Sequence, residues 1–541
     1  MNQRSLVVPA LGAVLLLGGC ATTSTGAAAP TPQPPKPQAP MAQPPPPEPP
    51  APAASQPIPF RPLRSPAPME LVVQPVANQP IVSFRLVFHS GSVDDPQGKE
   101  GLTALTASLM AEGGTKKLTS AQLLQALFPM AAELSASANK EFTVFEGRVH
   151  KDHLDRFLPL LTDVLLEPRF DPRELERLKT DAVNSIESGL RGEDDETLGK
   201  VALTALLYPG HPYAHAVRGT VQGLGGITLD DVKAHAQRVF TQDRLVIGLA
   251  GAVDDALQRK VKERLAALPA QGAPRVQLPP AADMRGKTWV LRKDTLSTAI
   301  SIGASLGVRR GDPDYHALLF IASHLGEHRQ FTGLLMRELR ERRGMNYGDY
   351  AYAEHFEQEG YTTYGRTNVG RAQQDFSIWL RPVEPQNAVF ATRGALYFLQ
   401  QLLEEGISQE RLDFVRGFLT GYTRLWEQTD QRRLGYAIDD RYFGTHNALE
   451  EFRQAIAKLT PAEVKAVANR HLSLDRLNFV YVTRDAEALA DLLAKQPPTP
   501  IQYPTPKAPE VLEVDKAIST QRLPMRPAAI ELKDAQQFME R

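Results

Sequence analysis

The stretch TLDDVKAHAQRVFTQDRL, starting at Thr228, aligns without a gap on TPAEVKAVANRHLSLDRL, starting at Thr460, with 9 of 18 positions identical. The identities include polar residues in register, among them Thr, Lys and an Asp-Arg-Leu ending; a shared helix-strand pattern alone would not reproduce these. In each copy apolar residues at helical spacing lead into an apolar, strand-like run, Val246 to Val253 in the first and Asn478 to Thr483 in the second. A duplicated chain must fold as two similar units, and 541 residues suffice for two cores. The halves are expected at 70–272 and 284–496, joined by a Pro- and Ala-containing linker at 273–283.

Within the first half the pattern alternates between the two periodicities. Ile81 to Phe88 and Glu141 to Phe145 read as strands, whereas Gly101 to Glu112, His150 to Leu166 and Pro172 to Leu190 read as helices. The predicted fold class is therefore α+β, two homologous domains in which sheet is covered by helices. Lys plus Arg is 61 against 62 for Asp plus Glu, a formal net charge of -1, so there is no basic field to hold nucleic acid.

The two ends differ from the body. Arg4 precedes an apolar run from Leu6 to Leu17 and then Leu-Gly-Gly-Cys at 17–20. This run is too short to span a bilayer and is arranged as an export signal. The ending is similar to a bacterial lipoprotein signal, with Cys20, the sole cysteine, as the lipid-attachment residue. A chain so anchored would lie in the cell envelope; Ala21 after the cysteine implies sorting to an outer membrane. Residues 21–69 are expected to form a tether, since 18 of the 44 prolines fall between Pro30 and Pro68. A Pro-rich passage from Pro497 opens a C-terminal tail, 497–541, in which only a short helix-like run near Ile530 to Met539 is expected.

Several stretches taken together resemble the insulinase (pitrilysin) family of zinc peptidases in its two-domain, mitochondrial-processing-peptidase-like form. They are HSGSVDDPQGKEGLTALTASLMAEGGT, AELSASANKEFTVFEGRV, LLEPRFDPRELERLK, YPGHPYAHAVRGT and LMRELRERRGMNYGDYAY. The resemblance implies two mainly antiparallel sheets facing each other across a chamber. It also implies a His-x-x-Glu-His helix, in which two imidazoles on one face bind zinc and the Glu deprotonates the metal-bound water. The matching positions here are Ala104, Ala107 and Ser108, and the place of the third ligand reads Asn184-Ser185. Glu187 is displaced by two or three residues, which turns a helical side chain to another face. The expectation is a family member without its zinc site and with no cofactor. It would bind extended peptide and pair with an active zinc-peptidase subunit.

Two further features bear on activity. HLGEH at 324–328 repeats the metal spacing in the second half, so His324 and His328 with a distant Glu404 as ligands and Glu327 as base form an alternative zinc site. Against this, Gly326 weakens a helix there by about 1 kcal/mol relative to Ala, and a solvated helix end is the plain reading. The resemblance also matches Arg340 and Tyr347 to residues that reach substrate and the reacting carbonyl. With no oxyanion to stabilise they could equally brace the fold, Arg340 through pairs with neighbours such as Glu338. His211-Pro212-Tyr213 reads as structural, and the tyrosines 347, 350, 352, 361 and 364 read as strand packing. A purely structural envelope lipoprotein is the third reading.

Overall fold

The computed structural model describes residues 58–327 and 331–541. Cys20, the segment read as an export signal and most of the expected tether, as well as His328, lie outside the described residues.

Duplication is visible strand for strand. The first sheet runs β1 (Glu70–Pro75), β5 (Leu245–Gly251), β2 (Ile81–Phe88), β4 (Thr143–His150), β3 (Glu133–Ala138). The second repeats that order as β6 (Thr288–Arg292), β10 (Asn478–Thr483), β7 (Thr298–Leu306), β9 (Gln374–Val383), β8 (Gly348–Tyr352), with β11 (Ile530–Asp534) added beyond β6. In both sheets the first pair is parallel, β1 with β5 and β6 with β10, and the other pairs of the repeated order are antiparallel. The repeated helices are Leu229–Val239 and Pro461–His471; both begin with a threonine whose side chain accepts from the third residue of a capping box. The linker lies in a stretch without helix or strand between Leu265 and Thr288.

Each half lends a helix to the other's sheet. One face of the first sheet packs on its own helices, burying Phe84, Phe145, Phe157 and Val261. Its other face receives Leu434 and Ile438 from the helix Asp430–Phe443 of the second half, against Val72, Val87 and Val246. Reciprocally, Leu198, Ala202 and Leu203 of the helix Asp195–Leu207 join Ala299, Val480 and Val482 of the second sheet. Apolar area buried this way stabilises by roughly 25 cal/mol per Å², so the halves share an apolar core in addition to the polar contacts between them.

The close approach has a sequence requirement at Gly435. A Cβ there would overlap the Thr367 hydroxyl and stand 2.5 Å from Arg85 Nη1. Arg85 is itself buried, donating to Thr367 at 2.6 Å and to Asn368 at 2.9 Å and pairing with Glu146. Gly435→Ala should therefore cost about 1–3 kcal/mol by overpacking. Gly417→Ala, where an added Cβ meets nothing within 4 Å, should be stabilising by up to about 1 kcal/mol. Chemical denaturation of both variants checks the contrast, and equal midpoints would refute it.

Both ends of the described chain depart from the tether and tail expected of them. From Ile58 the chain is already packed: its N–H bonds to Ala281, Pro62 accepts from Arg309, and the Arg64 N–H reaches Tyr442. The tail holds a helix, Pro509–Thr520, whose Ile518 is fully buried. The run read as helix-like near Ile530 is β11, parallel to β6, followed by a 3-10 turn. Ile530 and Lys533 are half-buried while Glu531, Leu532 and Asp534 are exposed, so main-chain pairing with β6 rather than a buried apolar face defines this edge strand. Beyond it Ala535 and Met539 enter the core of the first half, and the Met539 and Glu540 carbonyls accept from Val221 and Gln222 N–H.

Candidate functional site

The helix Leu102–Glu112 is fixed by its first turn. Asp95 accepts from the N–H of Gly101 and Thr103 at 2.8 and 2.7 Å and from the Thr103 hydroxyl at 2.6 Å. The same hydroxyl lies 2.8 Å from His235 Nε2. Burial holds His235 down at about 4, so its ring is neutral at pH 7. Ala107 is buried, Ser108 is half-buried, and Ala104 stands on the wall of a cleft between the halves. Asn184 is exposed at the end of its helix. There the backbone widens into π-helical turns over Ser185–Glu193, and the Ser185 hydroxyl donates to the Ala182 carbonyl. These five side chains carry no imidazole or carboxylate.

The cleft has a volume of about 690 Å³ and draws its walls from both halves. The first half contributes Lys140, Glu196, Lys200 and Arg218; the second contributes Arg371, Asp375, Trp379 and Arg381. Glu196 binds Lys200 on its own helix and Arg381 across the division, and the Lys200 ammonium sits 3.5 Å from the centre of the Trp379 ring. Lys140 is buried and donates to the His215 carbonyl. Burial, and secondarily Arg371, lowers its pKa to about 7. None of these residues stood out in the sequence, because a lone charged or aromatic residue within a helix, strand or loop carries no pattern. What the cleft can do chemically is hold a polar chain: it presents cations and carboxylates, with the buried Trp379 ring already capped by Lys200.

Tyr213 and its neighbours act as expected, in a structural role. Tyr213 is fully buried, donates to Glu141 and receives the Ala372 N–H at 3.1 Å, while His211 Nδ1 accepts from the Tyr213 N–H. Arg340 and Tyr347 sit apart from the cleft walls. Tyr347 is 70% exposed, and the Arg340 guanidinium lies 4.9 Å from its ring and 5.0 Å from that of exposed Phe331. The expected pairing of Arg340 with Glu338 is not formed; Glu338 pairs instead with Arg337, Arg342 and Arg343. Of the tyrosines read as strand packing, only Tyr350 and Tyr352 lie in β8; Tyr347, Tyr361 and Tyr364 are in loops.

At HLGEH the helix ends too early to present a metal pair. It spans Tyr315–Leu325, and Gly326 leaves it at φ 142°, a conformation that glycine alone adopts readily. The four-residue face that the spacing implied is thus broken between its two histidines. His324 is buried, not solvated: Arg411 Nε donates to its Nδ1 at 3.1 Å, and burial, then Arg411, lowers its pKa to about 3. Glu327 is buried as well and is pushed up to about 8 by burial, against a weaker pull from the Ser323 hydroxyl. Glu404 is exposed at the end of the helix Ala388–Glu405 and accepts from Gln400. Among the described residues no three His, Cys, Asp or Glu side chains converge.

Fold and cleft together define a class: a duplicated, two-half peptidase-type shell in which the matched helix face bears alanine and serine. The chain belongs to the insulinase family, peptidase family M16; the family's model matches residues 71–211 and that of the peptidase M16 inactive domain matches 226–419. It is similar to a non-peptidase homolog, YmxG, of Helicobacter pylori, 25% identical over 75% of this chain and 89% of that one. It is also similar to an uncharacterized zinc protease, YmxG, of Bacillus subtilis, 22% identical over 67% of this chain and 83% of that one. Among solved structures, a peptidase M16 inactive domain from Pseudomonas fluorescens superposes with a TM-score of 0.68 at 24% identity, covering 78% of this chain and 97% of that one. That likeness shows the fold, and the chain is a degenerate peptidase-like member of the family.

Proposed function

We propose that this protein is a non-catalytic family member that binds extended peptide in the cleft and pairs with a separately encoded, zinc-bearing subunit. The observation that carries the reading is Ala104 on the cleft wall, at the position matched to a metal ligand. A peptidase scaffold keeps its substrate groove when its metal donors are lost, because sheet edges and cleft walls recognise main chain independently of the ion. Export and an acyl anchor at Cys20 would place the pair at the envelope, with the Pro-rich segment as spacer.

The test is zinc analysis and a peptide-cleavage assay on the full chain, alone and mixed with a family member from the same organism that keeps His-x-x-Glu-His. The lone chain should hold less than about 0.1 equivalent of tightly bound zinc and cleave nothing above background, whereas mixing should raise cleavage by the active partner several-fold. One equivalent of zinc and chelator-sensitive cleavage by the lone chain, lost in His328→Ala, would establish the HLGEH enzyme instead. No effect on the partner would leave the structural-lipoprotein reading standing.

A further inference from the structure

A second cavity, of about 70 Å³, lies in the second half between the end of the helix Tyr315–Leu325, β8, the loop after it and the helix Asp430–Phe443. It is large enough for several water-sized groups. Four carboxyl groups face it, Glu327, Glu354, Glu357 and Asp439, against two guanidinium groups, Arg310 and Arg366. Three of the four are matched. Glu354 and Asp439 share Arg310 at 2.8 and 3.2 Å, and Glu357 accepts from His355 at 3.1 Å. Glu327 is the exception: it is 8% exposed and, among the described residues, takes part in no ion pair and has no hydrogen-bond partner for its Oε2. The Tyr352 hydroxyl, on a side chain 5% exposed, is likewise unpartnered and faces the same space.

Unmatched buried oxygens of this kind cost free energy unless a ligand supplies donors. The walls show which donor they suit, since the aromatic faces around the cavity already carry cations. Arg432 lies 4.1 Å from the centre of the Tyr364 ring, and Arg310 lies 5.5 Å from that of Phe443. We propose that this pocket binds an organic cation, a primary ammonium or guanidinium group, with the Glu327 carboxylate as counter-charge and the Tyr352 oxygen as second acceptor. An ammonium has three donors and no acceptor, and Glu327, which burial keeps mostly protonated before a cation binds, releases that proton to water as the cation enters and so becomes its counter-charge. The proposal does not depend on the peptide-binding reading of the cleft, although His355, Phe356 and Glu357 line both spaces.

The experiment titrates the full chain with n-butylammonium, with n-butylguanidinium and with neutral n-butanol, read by calorimetry and by the fluorescence of Trp426, which lines the cavity. Saturable binding of at least one cation and none of the alcohol is expected. Glu327→Gln, isosteric and uncharged, should weaken that binding at least tenfold, and Tyr352→Phe about threefold; the second variant tests the same contact should the first not fold. A short lysine-containing peptide that competes with the amine identifies a peptide side chain as the source of the cation, and failure to compete identifies a free amine. The proposal is overturned if no cation binds saturably, or if the variants bind as tightly as the wild type.

Discussion

Ending the chain at residue 496 should abolish cooperative folding or lower the melting temperature by at least ten degrees. This is the largest single effect expected for the molecule, and it falls on the segment that composition alone would discard. Ile518, Leu523, Met525 and Met539 are each under 9% exposed, and burying a side chain of that size stabilises by roughly 1.5–3 kcal/mol. Their sum is a large share of an ordinary folding margin of about 5–15 kcal/mol. Truncation would also strip β11 from β6 and so expose a paired edge to other chains. Differential scanning calorimetry and size exclusion of the truncated chain decide the matter; an unchanged melt would mean that the tail only decorates the body.

Arg343→Met should be the most damaging single substitution in the second half. The Arg343 side chain is 1% exposed and binds Asp515 at 2.7 Å through Nε and the Glu338 carbonyl at 2.7 Å through Nη1. Asp515 lies on the tail helix and also accepts from Tyr503 at 2.8 Å. Methionine fills the space but leaves the Asp515 carboxylate buried without its cation, which costs about 3–5 kcal/mol. Asp515→Asn placed in the Arg343→Met background should recover part of the loss. Denaturant midpoints of the three variants measure the coupling, and a loss below about 1 kcal/mol in the single variant would show that the tail is not held by this pair.

The two arginines of LRERRG show how far sequence reasoning reaches. Spacing and family resemblance single out Arg340, which the structure finds half-exposed against Tyr347. Three residues on, Arg343 is the buried one. Nothing local separates them, because burial of a long cation depends on whether a distant carboxylate, here 172 residues away, arrives opposite it. HLGEH fails as a helical metal pair for a different reason. Its donors are right, but Gly326 ends the helix inside the motif. The cleft residues Lys140, Lys200 and Trp379 were illegible for the same reason as Arg343, being brought together from different halves.

What the sequence by itself determined was the plan: two copies of one unit, with β2 and β10 placed residue for residue and the matched helix face left without donors. Such features are legible because periodicity and residue identity are local properties that the backbone must obey wherever it goes. Only the tertiary structure decided that each half lends a helix to the other's sheet, that the tail completes the second sheet and returns to the first half, and that Glu327 is buried beside a cavity with its Oε2 unpartnered among the described residues. Those outcomes depend on free energy shared between segments hundreds of residues apart. No window along the chain contains both partners.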